Sequence, residues 1–230
     1  MGHHILPGNP PLALTLRRSP RARRISLRVS RLDGRVTLTM PHGVREGEAL
    51  DFARTKEDWL RAQLDARPQS VDVTMGATIP VEGRLLRIVP GTGRRILRDG
   101  DEIAVPGPGA AAPARLRAWL KGLARDRLAT ASDRHATALG RPYARLTLRD
   151  TRSRWGSCSS GGGLMYSWRL IMAAPEVLDY VAAHEVAHLA EMNHSPAFWS
   201  VVAHLCPDYQ APRRWLRDHG TGLHRYRFDV

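Results

Sequence analysis

A chain of 230 residues, 43% apolar and 25% charged, is long enough for a real core and too ordinary in composition for a disordered or fibrous protein. No apolar run nears the eighteen or so residues that span a bilayer, so no membrane partner is expected. The net charge of +13 comes almost wholly from arginine, with Lys56 and Lys121 the only lysines, a pattern that codon bias produces as readily as a polyanion partner does.

In chain order, the stretch "RRISLRVSRLDGRVTLTM" alternates Ile25, Leu27 and Val29 with polar residues, turns at Asp33-Gly34, and resumes with Val36, Leu38 and Met40. That pattern predicts a hairpin with one buried and one arginine-lined face. Leu50, Ala53, Trp59, Leu60 and Leu64 predict a single amphipathic helix over 44–66, stopped by Pro68. Short strands are expected at 78–81, 84–89 and 102–105, and "PGPGAAAPA" (106–114) reads as a linker. Beyond it, Leu116, Trp119, Leu120, Leu123 and Leu128 predict a long helix over 113–139, ended near Gly140. Strands at 144–150 and 164–173 are joined through the turn "RWGSCSSGGG", and helices follow at 175–192, 196–205 and 208–219, the last capped by Gly220. The expected fold class is α+β, with a β-rich region over 1–110 and a catalytic domain over 111–230. Cys158 and Cys206 are too few for a disulfide scaffold, and the N-terminus lacks the cationic start and long apolar core of a signal peptide, so a cytoplasmic protein is expected.

The chemistry concentrates in "HEVAHLAEMNHSPAFW", residues 184–199. Pro175 suits the first turn of a helix on which Val177, Val181, His184 and His188 share a face. The i, i+4 spacing lets two imidazoles converge on one ion with Glu185 beside them. Two unpartnered imidazoles and a carboxylate in so apolar a stretch would cost several kcal/mol if buried. A catalytic zinc needs a third protein ligand. No glutamate follows Glu191, so a later glutamate is excluded; His194 is the leading candidate, with Asp208, Asp218 and His204 behind it. For His194 to reach the ion the helix must end near Met192-Asn193, where Asn193 tolerates a left-handed conformation. The histidine spacing equals that of H-E-x-x-H-x-x-G-x-x-H, with Glu191 in place of the glycine, but no metzincin context surrounds it. Glu191 is read as a solvated helix end, His204 as a structural residue, and His3, His4, His42 and His135 as surface residues. Neutral imidazoles and an open position suit Zn²⁺, with Glu185 as general base toward a water. The strand before the helix, "LMYSWRLIMA", is expected to offer an edge to an extended peptide.

The stretches "RWGSCSSGG", "SWRLIMAAPEVLDYVAAHEVAHL" and "NHSPAFW" together resemble the YgjP-like metallopeptidase family, related to the SprT and WLM zinc-dependent peptidases. The resemblance runs over roughly residues 20–225 and is densest from 152 to 199. It implies His184, His188 and His194 as zinc ligands, Glu185 as catalyst, and a zincin-like α+β core carrying H-E-x-x-H on a buried helix. The function expected is a zinc-dependent metalloendopeptidase acting on a peptide or protein. Two alternatives stay open: a metal-dependent phosphohydrolase acting on nucleotides, and a protease recruited to DNA through basic surface. Eight arginines within residues 17–35 feed both, as a surface for a polyanion or nucleic acid.

Overall fold

A computed structural model of the protein describes residues 2–30, 33–66 and 69–229. They form two compact units, residues 1–69 and 70–230. The expected boundary at 110/111 falls inside the second unit. The "PGPGAAAPA" stretch is not an extended linker: Pro106 ends a strand, 109–111 make one 3-10 turn, and Ala112 and Pro113 already begin a helix.

The first unit is a mixed sheet with two short helices. Strands β1 (Gly2–Leu6), β2 (Leu12–Arg18), β3 (Ser26–Val29) and β4 (Val36–Met40) lie in the order β1-β2-β4-β3. The predicted hairpin is present: β3 pairs antiparallel with β4, Leu27 opposite Leu38 and Val29 opposite Val36. Gly34 takes φ 71° at the turn, a conformation that favours glycine. Arg28 is exposed on one face, while Val36, Leu38 and Met40 are buried on the other. The predicted helix over 44–66 is two helices, α1 (Glu46–Thr55) and α2 (Glu57–Asp65), broken at Lys56, whose φ/ψ of −110°/13° leaves the helical region. Ala49, Leu50, Ala53 and Leu60 join the sheet's core, but Trp59 is 44% exposed because the break rotates it off the apolar face. The stop expected at Pro68 lies outside the described residues.

The second unit begins with β5 (Val71–Asp72) and a four-stranded sheet of β6 (Thr78–Val81), β7 (Arg84–Gly91), β8 (Leu97–Asp99) and β9 (Glu102–Pro106), in the order β6-β7-β9-β8. Helix α3 (Ala112–Leu139) follows, burying Leu116, Leu120, Ala124, Leu128, Ala131 and His135 along one stripe. Gly140 closes it at φ 69°, with the Arg141 N–H donating to the Ala136 carbonyl. A three-stranded sheet, β10 (Arg145–Arg149), β11 (Gly156–Cys158) and β12 (Gly163–Ser167), has the order β10-β12-β11. Helices α4 (Pro175–Ala187), α5 (Pro196–Leu205) and α6 (Gln210–His219) complete the unit, and β13 (Tyr226–Arg227) pairs in parallel with β5.

Three expectations fail here, each for a physical reason. The strand predicted over 164–173 stops at Ser167, and 168–172 is a 3-10 segment in which every residue is buried, so no alternation marks the change. The turn over 154–163 contains a strand, β11, too short and small-residue-rich to read as one. Gly220 is not a left-handed cap: at φ −54° it carries the chain from α6 directly into a 3-10 turn over 220–225. Its missing side chain makes room instead, since a Cβ there would meet Trp155 Cζ2 and Leu216 Cδ1 at 3.1 Å.

The 3-10 segment is fixed by a buried cation. The Arg169 guanidinium donates to both Asp150 carboxylate oxygens, at 2.7 and 3.2 Å, and to the carbonyls of Leu223 and Tyr226 at 3.1 Å, and it lies 4.8 Å from the Trp168 ring centre. Removing it strands one carboxylate and two buried carbonyls. Arg169→Leu is therefore expected to cost about 2–4 kcal/mol of stability, read from urea unfolding. A loss under about 1 kcal/mol would mean that packing alone holds the segment.

Candidate metal centre

Helix α4 is apolar on nearly every side: Val177, Leu178, Tyr180, Val181, Ala182, Ala183, Val186 and Ala187 are all buried. Pro175 opens it and Glu176 sits in its first turn. His184 and Glu185 occupy its last turn, and His188 is the residue that closes it. The helix is five residues shorter than the sequence predicts. Overlapping tight turns replace it, with the N–H groups of Leu189, Ala190 and Glu191 donating to the Val186 and Ala187 carbonyls. Asn193 is not left-handed: Glu82 is the one non-glycine residue with positive φ among the described residues. The turn succeeds without that device, and Ser195 then caps α5 by accepting from the Phe198 N–H at 3.3 Å.

The result brings His184, His188 and His194 together. One ring nitrogen from each lies within 4.8 Å of the others, and the His184 and His194 Nε2 atoms are 3.1 Å apart. Neither Asp208, Asp218 nor His204 belongs to this group, and Asp208 and His204 are exposed. The His188 Nδ1 lies 3.0 Å from the Glu191 carbonyl oxygen, which can only accept. That fixes the proton on Nδ1 and leaves Nε2 as a lone pair toward the cluster. Glu191 thus acts through its backbone, a role its side-chain chemistry does not announce. Zinc–nitrogen bonds of about 2.0–2.1 Å in a tetrahedral set put neighbouring nitrogens about 3.3 Å apart, close to the 3.1 Å between His184 and His194. The donor set fits such an ion.

Aromatic rings hold the imidazoles in place. Phe198 lies beneath all three, with ring centres 4.9, 4.5 and 4.7 Å from His184, His188 and His194. Trp199 flanks His184 and His194 at 5.8 and 5.9 Å. Burial pushes the His184 imidazole down to about 3, and the neighbouring His188, His194 and Arg213 add to the shift. Burial likewise holds His188 below its ordinary 6.5. Both are therefore neutral at neutral pH, the form in which an imidazole can bind a metal.

Glu185 is 5% exposed, and its side chain lies against Gly156 of β11. Burial lifts its carboxyl to about 8, opposed by the Arg154 guanidinium and by the backbone N–H of Cys158 that faces it. Gly156 makes this possible. A Cβ at that position would lie 2.5 Å from Glu185 Oε1 and 2.6 Å from its Cγ, so only glycine leaves the carboxylate its place. The sequence gives no sign of this glycine's role; only its partner across the cleft does. An open cleft of about 430 Å³ joins Arg154–Cys158, Tyr180, Glu185 and the three histidines. The strand expected to offer an edge, β12, is the middle strand of its sheet; among the described residues, the side of β11 away from β12 pairs with no strand.

His135, read as a surface residue, is 3% exposed and lies 2.9 Å from Asp179 of α4. Burial raises the Asp179 carboxyl, but the hydrogen bond and charge of His135 and the Arg134 guanidinium hold it below 3.8 on balance. This pair fixes α4 against α3, away from the cluster.

His224, behind the cleft residue Trp155 with ring centres 5.2 Å apart, gives the fold a pH dependence. Burial, then the Arg169 charge, lower it to about 4 from 6.5. Between those values the unfolded chain binds the extra proton and the folded one does not, so stability falls as pH drops from about 6.5 to 4. His224→Phe, which keeps a ring on Trp155, is expected to flatten that fall in urea unfolding of the metal-free protein. His184 and His188, also held low, add to the same fall, so an unchanged pH profile would remove His224 from its sources.

Among solved structures, the chain is similar to the metallopeptidase zymogen of Pyrococcus abyssi abylysin, with 21% identity, 40% of this chain and 92% of that chain covered, and a TM-score of 0.36, a likeness too distant to carry an argument. No curated protein matches the chain. The model of the YgjP-like metallopeptidase domain matches residues 23–219, which takes in the histidine cluster, Glu185 and β11. The chain belongs to the YgjP-like metallopeptidase family.

Proposed function

We propose that the chain is a zinc-dependent peptidase in which His184, His188 and His194 hold the ion and Glu185 is the general base. The observation that carries this reading is three imidazole nitrogens within 4.8 Å of one another, in one cleft with the buried carboxylate of Glu185 and the strand β11. Zinc, when bound, supplies Lewis acidity and lowers the pKa of a water toward about 7. The chain's own residues do the rest. The backbone of β11 pairs with an extended peptide and sets its carbonyl over the histidines. Glu185, buried in the same cleft as the histidines, takes a proton from the attacking water and returns it to the leaving amine. Arg154 lines the cleft and adds positive charge near the developing oxyanion.

The test uses zinc-loaded protein with unfolded protein and with nucleoside triphosphates as substrates. Proteolysis is expected, falling about 10²–10⁴-fold in Glu185→Gln. Triphosphate turnover that the same substitution abolishes, with no proteolysis, would replace the peptidase with a phosphohydrolase.

A further inference from the structure

The cleft does not end at β11. Arg154, Ser157 and Cys158 also line a second groove, of about 460 Å³, on the outer face of the β10–β12–β11 sheet. Strand alternation builds that face. Arg145, Thr147 and Arg149 are exposed on β10, while Leu146 and Leu148 turn to the core. Thr147 and Ser157 flank Met165 from either side. Arg145 stands opposite Gly163, and its Nε lies 3.4 Å from where a Cβ would be. It lies over the middle strand because no side chain stops it.

Arg145, Arg149 and Arg154 have no ion pair among the described residues. The nearby acid, Asp150, turns to the opposite side and is bound to Arg169. Three unpaired guanidiniums among hydroxyls and bare backbone make a site for carboxylates or phosphates. No aromatic residue lines the groove, so it lacks the stacking platform that single-stranded nucleic acid uses. A strand paired to the unpaired edge of β11 places alternate side chains on the two faces of the sheet. One set meets Glu185; the other falls toward the arginines.

We propose that this face is a specificity subsite for acidic side chains of the peptide running along β11, so that the preferred substrates carry Asp or Glu at alternate positions beside the scissile bond. The proposal rests on the peptidase reading for the bond that is cut, but not for the binding.

The experiment compares two fluorescent peptides that differ only in Glu against Gln at alternate positions flanking a cleavable bond. Wild-type enzyme is expected to show kcat/KM about tenfold higher for the Glu peptide, an advantage that shrinks as salt rises. In Arg145→Gln/Arg149→Gln the ratio is expected to fall to about one. Equal rates in the wild type would overturn the proposal whatever the variant does, and so would a preference that survives in the variant. Binding of both peptides to zinc-loaded Glu185→Gln, by anisotropy, separates the two readings. Tighter binding of the Glu peptide that needs Arg145 and Arg149, with neither peptide ever cut, upholds the groove and sinks the peptidase. Equal binding, with an oligothymidylate of the same charge bound more tightly, assigns the face to nucleic acid and overturns the proposal.

Discussion

Gly156→Ala is expected to lower kcat at least about 100-fold while leaving zinc content and fold unchanged. The added methyl meets Glu185 at its Oε1, Cγ and Cδ, all within 2.8 Å. Gly156 does not occupy the left-handed region, so alanine brings no backbone strain. The strand cannot retreat easily, since β11 is paired along its length with β12. The side chain of Glu185 is the mobile partner, and it gives way by turning its carboxylate out of position. A misplacement of about 1 Å is enough for a loss of this size. Zinc measured by mass spectrometry and the urea midpoint are the controls. Alanine with wild-type kcat would show that the carboxylate has room to spare, and Glu185 would lose its claim to a fixed position.

His194→Ala is expected to weaken zinc binding by more than the ten- to hundredfold that follows loss of an outer hydrogen-bond partner. His194 and His184 face each other at 3.1 Å through their Nε2 atoms, over a shared floor of Phe198 and Trp199. Taking one away leaves two nitrogens on the end of α4, an incomplete set for a catalytic zinc. The comparison variant is His204→Ala, an exposed residue outside the cluster, which is expected to keep wild-type affinity in a chelator competition. Equal affinity in both variants would remove His194 from the set.

The histidine cluster is legible in the sequence because its residues are close together and chemically rare. His184, His188 and His194 fall within one helix end and one turn, and the lack of any glutamate after Glu191 narrowed the third position. What stayed hidden depends on contacts between distant segments. Gly156 has meaning only against Glu185, His135 only against Asp179, and Arg169 only against Asp150 and two carbonyls near residue 225. The turn after His188 differs from the sequence expectation in its device. A left-handed Asn193 was unnecessary once overlapping turns shortened the helix. The fold shows the same division. Strands with regular alternation, such as β4 and β6, and the stripe on α3 were plain. The buried 168–172 segment and the tiny β11 were not, since periodicity vanishes when all sides or none are covered.

The pairing of β5 with β13 bears on the order in which the chain can fold. Residues 71–72 find their partner only at residues 226–227, and the 3-10 segment leading into α4 is anchored by carbonyls of Leu223 and Tyr226. A ribosome delivers those residues after every histidine of the cluster has emerged. During synthesis α4 therefore waits beside the histidine cluster, the last braces of the segment that leads into it not yet made.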